Sequence, residues 1–392
     1  MTLLDLSAHF SRFLRAAPGR CHLAAHSHHF WPDVAFDAQQ TCWNDAARLA
    51  DQKWQTVLGE VMPAVRRGIA GHLGLPDPAT IVFAPNTHEL LLRVLSCLPR
   101  DRPTRILTSD GEFHSFARQI ARLEEDGLVA VERVPCLPLP SFASRFLERA
   151  RGFKGDLVFI SQVFFDSGAV SLDPQTLVNA VADRDTFIVV DGYHGYLARP
   201  TALSEVADRV FYLAGGYKYA MAGEGACFMH CPASYGARPR NTGWYASFGA
   251  LSATRGGTVD FATDGWRFAG ATFDPCGLYR MRAVLAWLTA LDLDAAQIHA
   301  HARALGNHLL LRIEPHGLPG LTRDCLVTPM SDRERGNFLT FSHPRSEENE
   351  RRLLGADIIV DRRGDRLRLG FGCYHTLATI DAAADAIVAA LQ

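Results

Sequence analysis

From about Thr80 onward, short apolar runs alternate with segments of helix length, and this alternation leaves the chain few architectures to choose from. The candidate strands are Ile81-Val82-Phe83, Arg105 to Thr108, Leu157 to Ile160, Phe187 to Val190, Val210 to Leu213 and Ala226 to Met229. Most are rich in β-formers and bounded by turn residues. That pattern predicts an α/β fold with a mostly parallel central sheet flanked by helices. In such sheets functional residues gather just beyond the carboxyl ends of the strands. Ser161, Asp191 and Lys218 all fall there. Later, Leu278 to Ile313 reads as two helices. Strand-like runs at 337–341, 357–360 and 367–371 and an amphipathic helix from Ile380 to Leu391 then complete a smaller α+β unit. The expected division is an N-terminal arm (1–55) packing with the small domain, a large domain (56–275) and a small C-terminal domain (276–392).

The 392 residues are 48 % hydrophobic and carry a net charge of −2, which gives no electrostatic basis for binding nucleic acid or an anionic membrane. No apolar run approaches the roughly 20 residues that span a bilayer. Nine cysteines are scattered without CxxC spacing, as expected of reduced thiols in a cytoplasmic protein.

Lysine is scarce. Only Lys53, Lys154 and Lys218 occur, and nearly all other positive charge is arginine, which cannot serve as an amine nucleophile. Lys53 lies in a polar stretch and Lys154 in a turn flanked by glycine, where an ammonium stays solvated. Lys218 alone follows a strand-like run and precedes a glycine-rich loop. It is therefore the candidate for a Schiff base with a carbonyl cofactor. Asp191, in Val189-Val190-Asp191-Gly192-Tyr193-His194, lies one strand-helix-strand spacing earlier. A pyridine cofactor used as an electron sink needs an anion at its ring nitrogen and a lysine at its aldehyde, and this pair supplies both. Taken alone, Asp191 reads more readily as a helix N-cap or a solvated turn residue, and it is the pairing with Lys218 that favours the functional reading.

These residues carry a resemblance. Tyr217-Lys218-Tyr219 with Ala222-Gly223, Asp191 with His194, and Ser161 in Ser161-Gln162-Val163-Phe164-Phe165-Asp166-Ser167-Gly168 match motifs in order. So do Asn86-Thr87, Phe113 and Gly243-Trp244. In these motifs the chain resembles the class V branch of fold-type-I pyridoxal-phosphate (PLP) enzymes, and within it kynureninase, from about His22 to the C-terminus. The resemblance implies pyridoxal 5'-phosphate as cofactor. Lys218 would bind it covalently and move the substrate's α-proton, and Asp191 would face the ring nitrogen. Phe113 would stack on the ring, Ser161 and His194 would steady its polar edge, and Asn86, Thr87 and Tyr217 would hold the phosphate. Trp244 implies a homodimer with shared active sites. Arg368, in Leu367-Arg368-Leu369, matches the arginine that forks onto the substrate's α-carboxylate.

The match fails where substrate is chosen. Phe116 stands where kynureninase has an aspartate, and Asp274-Pro275 where it has asparagine or threonine before proline. Asp274 would lie by the cofactor phosphate, an unfavourable place for a carboxylate unless it is protonated or turned away. Ala25-His26-Ser27-His28-His29 replaces an N-terminal motif, so His28 and His29 become candidates to line the substrate entrance. They lack the spacing and carboxylate partner of a metal site. The expected reaction is hydrolytic Cβ–Cγ cleavage of kynurenine or a related γ-keto amino acid, giving alanine and an acid. The alternative is a class V aminotransferase or another PLP-dependent lyase acting on a small amino acid. A desulfurase would need Cys325 or Cys373 on its mobile loop, and neither sequence context resembles that loop.

Overall fold

The computed structural model describes residues 3–250, 258–331 and 333–392. Among these, the strands in chain order are β1 (Cys21–His22), β2 (Ile81–Ala84), β3 (Thr104–Ser109), β4 (Val129–Val134), β5 (Leu157–Ser161) and β6 (Phe187–Asp191). They continue with β7 (Val210–Ala214), β8 (Cys227–His230), β9 (Phe338–Ser342), β10 (Ile358–Ile359), β11 (Asp361–Arg363) and β12 (Arg366–Gly370). The central sheet has the order β2-β8-β7-β6-β5-β3-β4. Its pairings are parallel except those made by β8, which runs antiparallel to both β2 and β7.

Strands β5 and β7 are buried throughout, which is why they read as continuous apolar runs. β4 was missed. Its Val129-Ala130-Val131-Glu132-Arg133-Val134 is half exposed at the sheet edge, so polar residues interrupt the apolar signal. Two apolar clusters lie within the large unit. One includes Val158, Ile160, Ile188, Val190 and Tyr212, and the other Phe159, Val189, Phe211 and Leu213, so alternate residues of each strand face opposite layers.

A third cluster, with Leu305, Leu339, Leu369 and Ile387, forms the C-terminal unit around the antiparallel sheet β11-β12-β9. β1 pairs in parallel with β10, and Gly370 N donates to the Leu23 carbonyl (2.7 Å), so this part of the arm joins that unit. The helix Asp33–Leu49 packs instead on the helix Cys276–Ala290. Both contribute side chains to the apolar cluster that includes Val158 and Ile188 of the central sheet. No described helix is long and apolar enough to cross a membrane.

Candidate active site

Strands β5, β6 and β7 are neighbours, and their carboxyl ends deliver Ser161, Asp191 and, four residues past β7, Lys218 to one place. Ser161 and Asp191 are direct partners across the ladder. Together they border a cavity of about 290 Å³ whose wall includes Asn86, Thr87, Phe113, Tyr193, His194 and Tyr217. A larger groove of about 910 Å³ runs past Phe142, Arg199 and Thr328, but neither Lys218 nor Asp191 reaches it, and the chemistry assigns the smaller cavity.

The lysine is tightly placed. Met221 N donates to the Lys218 carbonyl (2.9 Å) and Ala222 N to that of Gly216 (2.8 Å). The turn puts Met221 at φ 53°, a left-handed conformation that a bulky residue adopts only where its surroundings impose it. Gly223 follows at φ +69°, and a Cβ there would meet the Trp31 ring at 2.3 Å. Contacts from distant parts of the chain hold the loop. His29 N donates to the Tyr217 carbonyl (3.0 Å), and the Tyr219 hydroxyl donates to the carbonyls of Asn337 (3.0 Å) and Phe371 (2.9 Å).

Lys218 Nζ lies 2.6 Å from His194 Nε2 and 4.9 and 5.6 Å from the ring centres of Tyr193 and Phe113. Burial in this aromatic box lowers its pKa to about 7, against the pull of the nearby Asp191 carboxylate. Burial raises Asp191 in turn, opposed by the Tyr193 N–H donating to its Oδ1 (2.9 Å) and by Lys218. His194 is pushed well below the usual imidazole range by burial and then by Lys218, and its Nδ1 has no partner.

Sequence reasoning missed Glu112. It is 4 % exposed, and its carboxyl accepts from the Ser109 hydroxyl (2.5 Å), the Ser161 hydroxyl (2.6 Å) and the Ser161 N–H (2.9 Å). Burial raises its pKa to about 8 despite those donors. Ser161 therefore faces the cavity with its hydroxyl hydrogen already engaged. No local signal marks Glu112, because its partner lies 49 residues away.

Several expected residues stand elsewhere. Asp274 is exposed and accepts from Cys276 N (2.9 Å); it does not border this cavity, since the turn before the helix Cys276–Ala290 claims its side chain. His29 is 1 % exposed, with Nδ1 2.6 Å from the Phe30 carbonyl and Nε2 accepting from Cys373 N (3.1 Å). It is a structural histidine rather than an entrance residue. His28 is exposed and stacks on the Tyr217 ring (4.9 Å) at the rim. Arg368 is 3 % exposed and absent from the wall, because Asp361 and the Phe165 carbonyl hold its guanidinium. Trp244, expected to reach a neighbouring subunit's cofactor rather than its own, is 42 % exposed and stacked on Tyr245, away from this cavity. Asn86 borders the cavity but spends its Oδ1 capping the helix Thr87–Leu95, whose amino end opens there. Phe116 is core, stacked on Phe159.

This donor set fits a phosphorylated pyridine aldehyde. It combines a buried lysine of lowered pKa, a carboxylate at a strand end, an aromatic face, an unpartnered imidazole nitrogen and a helix amino terminus suited to phosphate. Among the described residues, no cysteine is placed to attack a substrate there. Cys227 borders the cavity, but it is 2 % exposed, 3.4 Å from the Tyr193 hydroxyl, with its thiol pushed up to about 11 by burial. Cys373 is buried with its thiol at about 12, and Cys325 does not border the cavity.

Comparison with known proteins agrees. A family model described as aminotransferase class-V matches residues 37–381. Among solved structures, C-DES with glycine covalently linked to its PLP cofactor is similar at a TM-score of 0.79 and 17 % identity, covering 97 % of this chain and 98 % of that one. The cysteine desulfurase CsdA of Escherichia coli is similar at 0.78 and 17 %, over the same shares of the two chains. An apo cysteine desulfurase of Thermococcus onnurineus NA1 gives 0.76 and 15 %, covering 95 % and 94 %. At these identities the likeness shows the fold. No curated protein matches the sequence.

Proposed function

This chain belongs to the aminotransferase class-V family and is a fold-type-I enzyme with pyridoxal 5'-phosphate as cofactor; on that premise we propose that it is a lyase cleaving a bond at the β-carbon of a small L-amino acid. The observation that carries the reading is the cavity. Its compact volume of about 290 Å³, walled by Lys218, Asp191 and Phe113, supports a small substrate beside the cofactor. The structurally similar C-DES is described as a cystine C–S lyase in complex with its product cysteine persulfide, which supports a carbon–sulfur substrate. The lack of a cysteine poised over Lys218 favours elimination over persulfide transfer to the protein.

When bound, the cofactor supplies an electron sink that acidifies the substrate's α-hydrogen. Lys218, with its pKa near 7, takes that proton as a base and can return it or pass it on. His194, 2.6 Å from Lys218 Nζ, fixes the amine's direction and receives hydrogen bonds as a neutral acceptor. Asp191, on the cavity wall, would supply the carboxylate that keeps a bound pyridine nitrogen protonated. Phe113 and Tyr193 exclude water beside the amine. Tyr217 keeps its proton, since burial raises it to about 12, and can act as a hydrogen-bond donor.

The kynureninase-like reading remains as a second one. His28 stacked on Tyr217 gives the rim an aromatic face that an aryl ketone could share. Exposed Phe36, Trp43 and Trp244 support a homodimer.

The test is a product assay on PLP-loaded protein without keto acid, offering L-cystine, L-cysteine and L-kynurenine in parallel. Pyruvate and ammonia from the sulfur amino acids support the lyase. Alanine with anthranilate from kynurenine replaces it with the hydrolase. Turnover only after a keto acid is added makes the protein an aminotransferase.

A further inference from the structure

Arg368 is held by Asp361 and by the Phe165 carbonyl, and its Nε has no partner. Asp361 is itself contested. Its Oδ1 accepts from Arg363 (2.7 Å), and its Oδ2 lies 3.8 Å from His26 Nε2. His26 is fully buried, flat against Phe338 with ring centres 4.4 Å apart, and neither of its ring nitrogens has a partner. Such a histidine is unusual, because a buried polar group left unbonded costs free energy that the fold must recover elsewhere. The group adjoins the cavity wall: the His26 ring lies 6.4 Å from that of His194, and the Arg368 guanidinium lies 5.9 Å from the ring centre of Phe165, both cavity-lining residues.

We propose that Asp361 is an internal stand-in for the substrate's α-carboxylate, and that His26 is the partner kept in reserve for it. A buried guanidinium needs an anion, and in the free enzyme Asp361 supplies one. When an amino acid arrives, its carboxylate takes over Arg368, and Asp361 turns to Arg363 and to an N–H of His26. The exchange swaps one carboxylate for another, so no buried charge is left alone. An amine lacking the carboxylate has nothing to offer Arg368 and leaves the Arg368–Asp361 pair closed. Asp361 and His26 would thus be specificity-determining residues that act through Arg368. The inference rests on the reading of the substrate as an α-amino acid bound beside Lys218.

The experiment titrates PLP-loaded protein with L-alanine and with ethylamine, following the cofactor's visible absorbance. This reads binding and needs no turnover. Wild type is expected to prefer alanine. Asp361→Asn, which frees Arg368 of its competitor, should tighten alanine by about tenfold, the scale of one charge-assisted contact, and leave ethylamine unchanged. His26→Leu, which removes the reserve partner, should weaken alanine severalfold and again spare ethylamine. Each variant reports separately, and the cofactor band shows that each is folded. Alanine weakened or unchanged in Asp361→Asn overturns the exchange and makes Asp361 a simple prop for Arg368. Equal affinities for alanine and ethylamine in the wild type overturn the carboxylate site itself, and the amino-acid reading with it.

Discussion

Two buried histidine sites lie close to each other in this protein and behave in opposite ways. In the N-terminal arm, His29 is bonded at both ring nitrogens, and His22 Nδ1 lies 2.5 Å from the Tyr374 hydroxyl. Their rings pack with Phe10, Phe30 and Tyr374. Beside the cavity, His194 touches Lys218 but keeps an unpartnered nitrogen, and His26 has two. Burial alone therefore does not separate a structural histidine from a functional one. What separates them is whether the fold has already satisfied the ring. A satisfied ring stabilises, whereas an unsatisfied buried ring costs stability.

The contrast can be broken experimentally. The largest effect belongs to Lys218→Ala, which should lower turnover by at least about 10³-fold and abolish covalent cofactor retention, measured as absorbance surviving gel filtration. Next comes a matched pair. His194→Leu should lower kcat by roughly 10- to 100-fold while leaving unfolding stability within about 0.5 kcal/mol, since an unmet polar atom is removed. His29→Leu should do the reverse, costing about 2 kcal/mol in denaturant unfolding with kcat little changed. Equal effects of the two substitutions on stability would erase the distinction.

Acid offers a third probe. Burial lowers His22 to about 4 and His29 to about 3, below the unfolded value near 6.5. The unfolded chain then binds more protons, so their contribution is intact above about pH 6.5 and is lost as pH falls toward 4. The slope approaches about 1.4 kcal/mol per pH unit for each ring. Glu112 works against this, because its raised pKa favours folding as pH falls from about 8. His230 and His299, which burial also lowers to about 4, add to the loss, so chemical denaturation between pH 7 and 5 should show a net decline, and His29→Leu should make it shallower. The smallest effect is that of Glu112→Gln. At neutral pH it replaces a largely protonated acid with an amide and should change stability by less than about 1 kcal/mol. The cofactor's absorbance should shift nonetheless, through the altered bond to Ser161.

Much of this was legible along the chain. Strand runs such as Val210–Ala214 announce themselves because both faces of a central strand are buried, and the strand ends then carry Ser161, Asp191 and Lys218 together. β4 was not legible, because an edge strand keeps polar residues. Nor were Glu112, or the true surroundings of Arg368 and His29. Glu112 is defined by Ser161, 49 residues away, Arg368 by Phe165, 203 away, and His29 by Cys373, 344 away. Asp274 read as a cofactor neighbour, but a local turn captured it.

The α/β architecture, and the gathering of Asp191 and Lys218 at neighbouring strand ends, could be read directly from the chain, because periodicity and spacing act over a few residues and one crossover. Which buried groups find partners and which do not emerges only once the chain is packed. That depends on donors and acceptors meeting across hundreds of residues, in a low-dielectric interior where a single missing partner changes what a side chain can do.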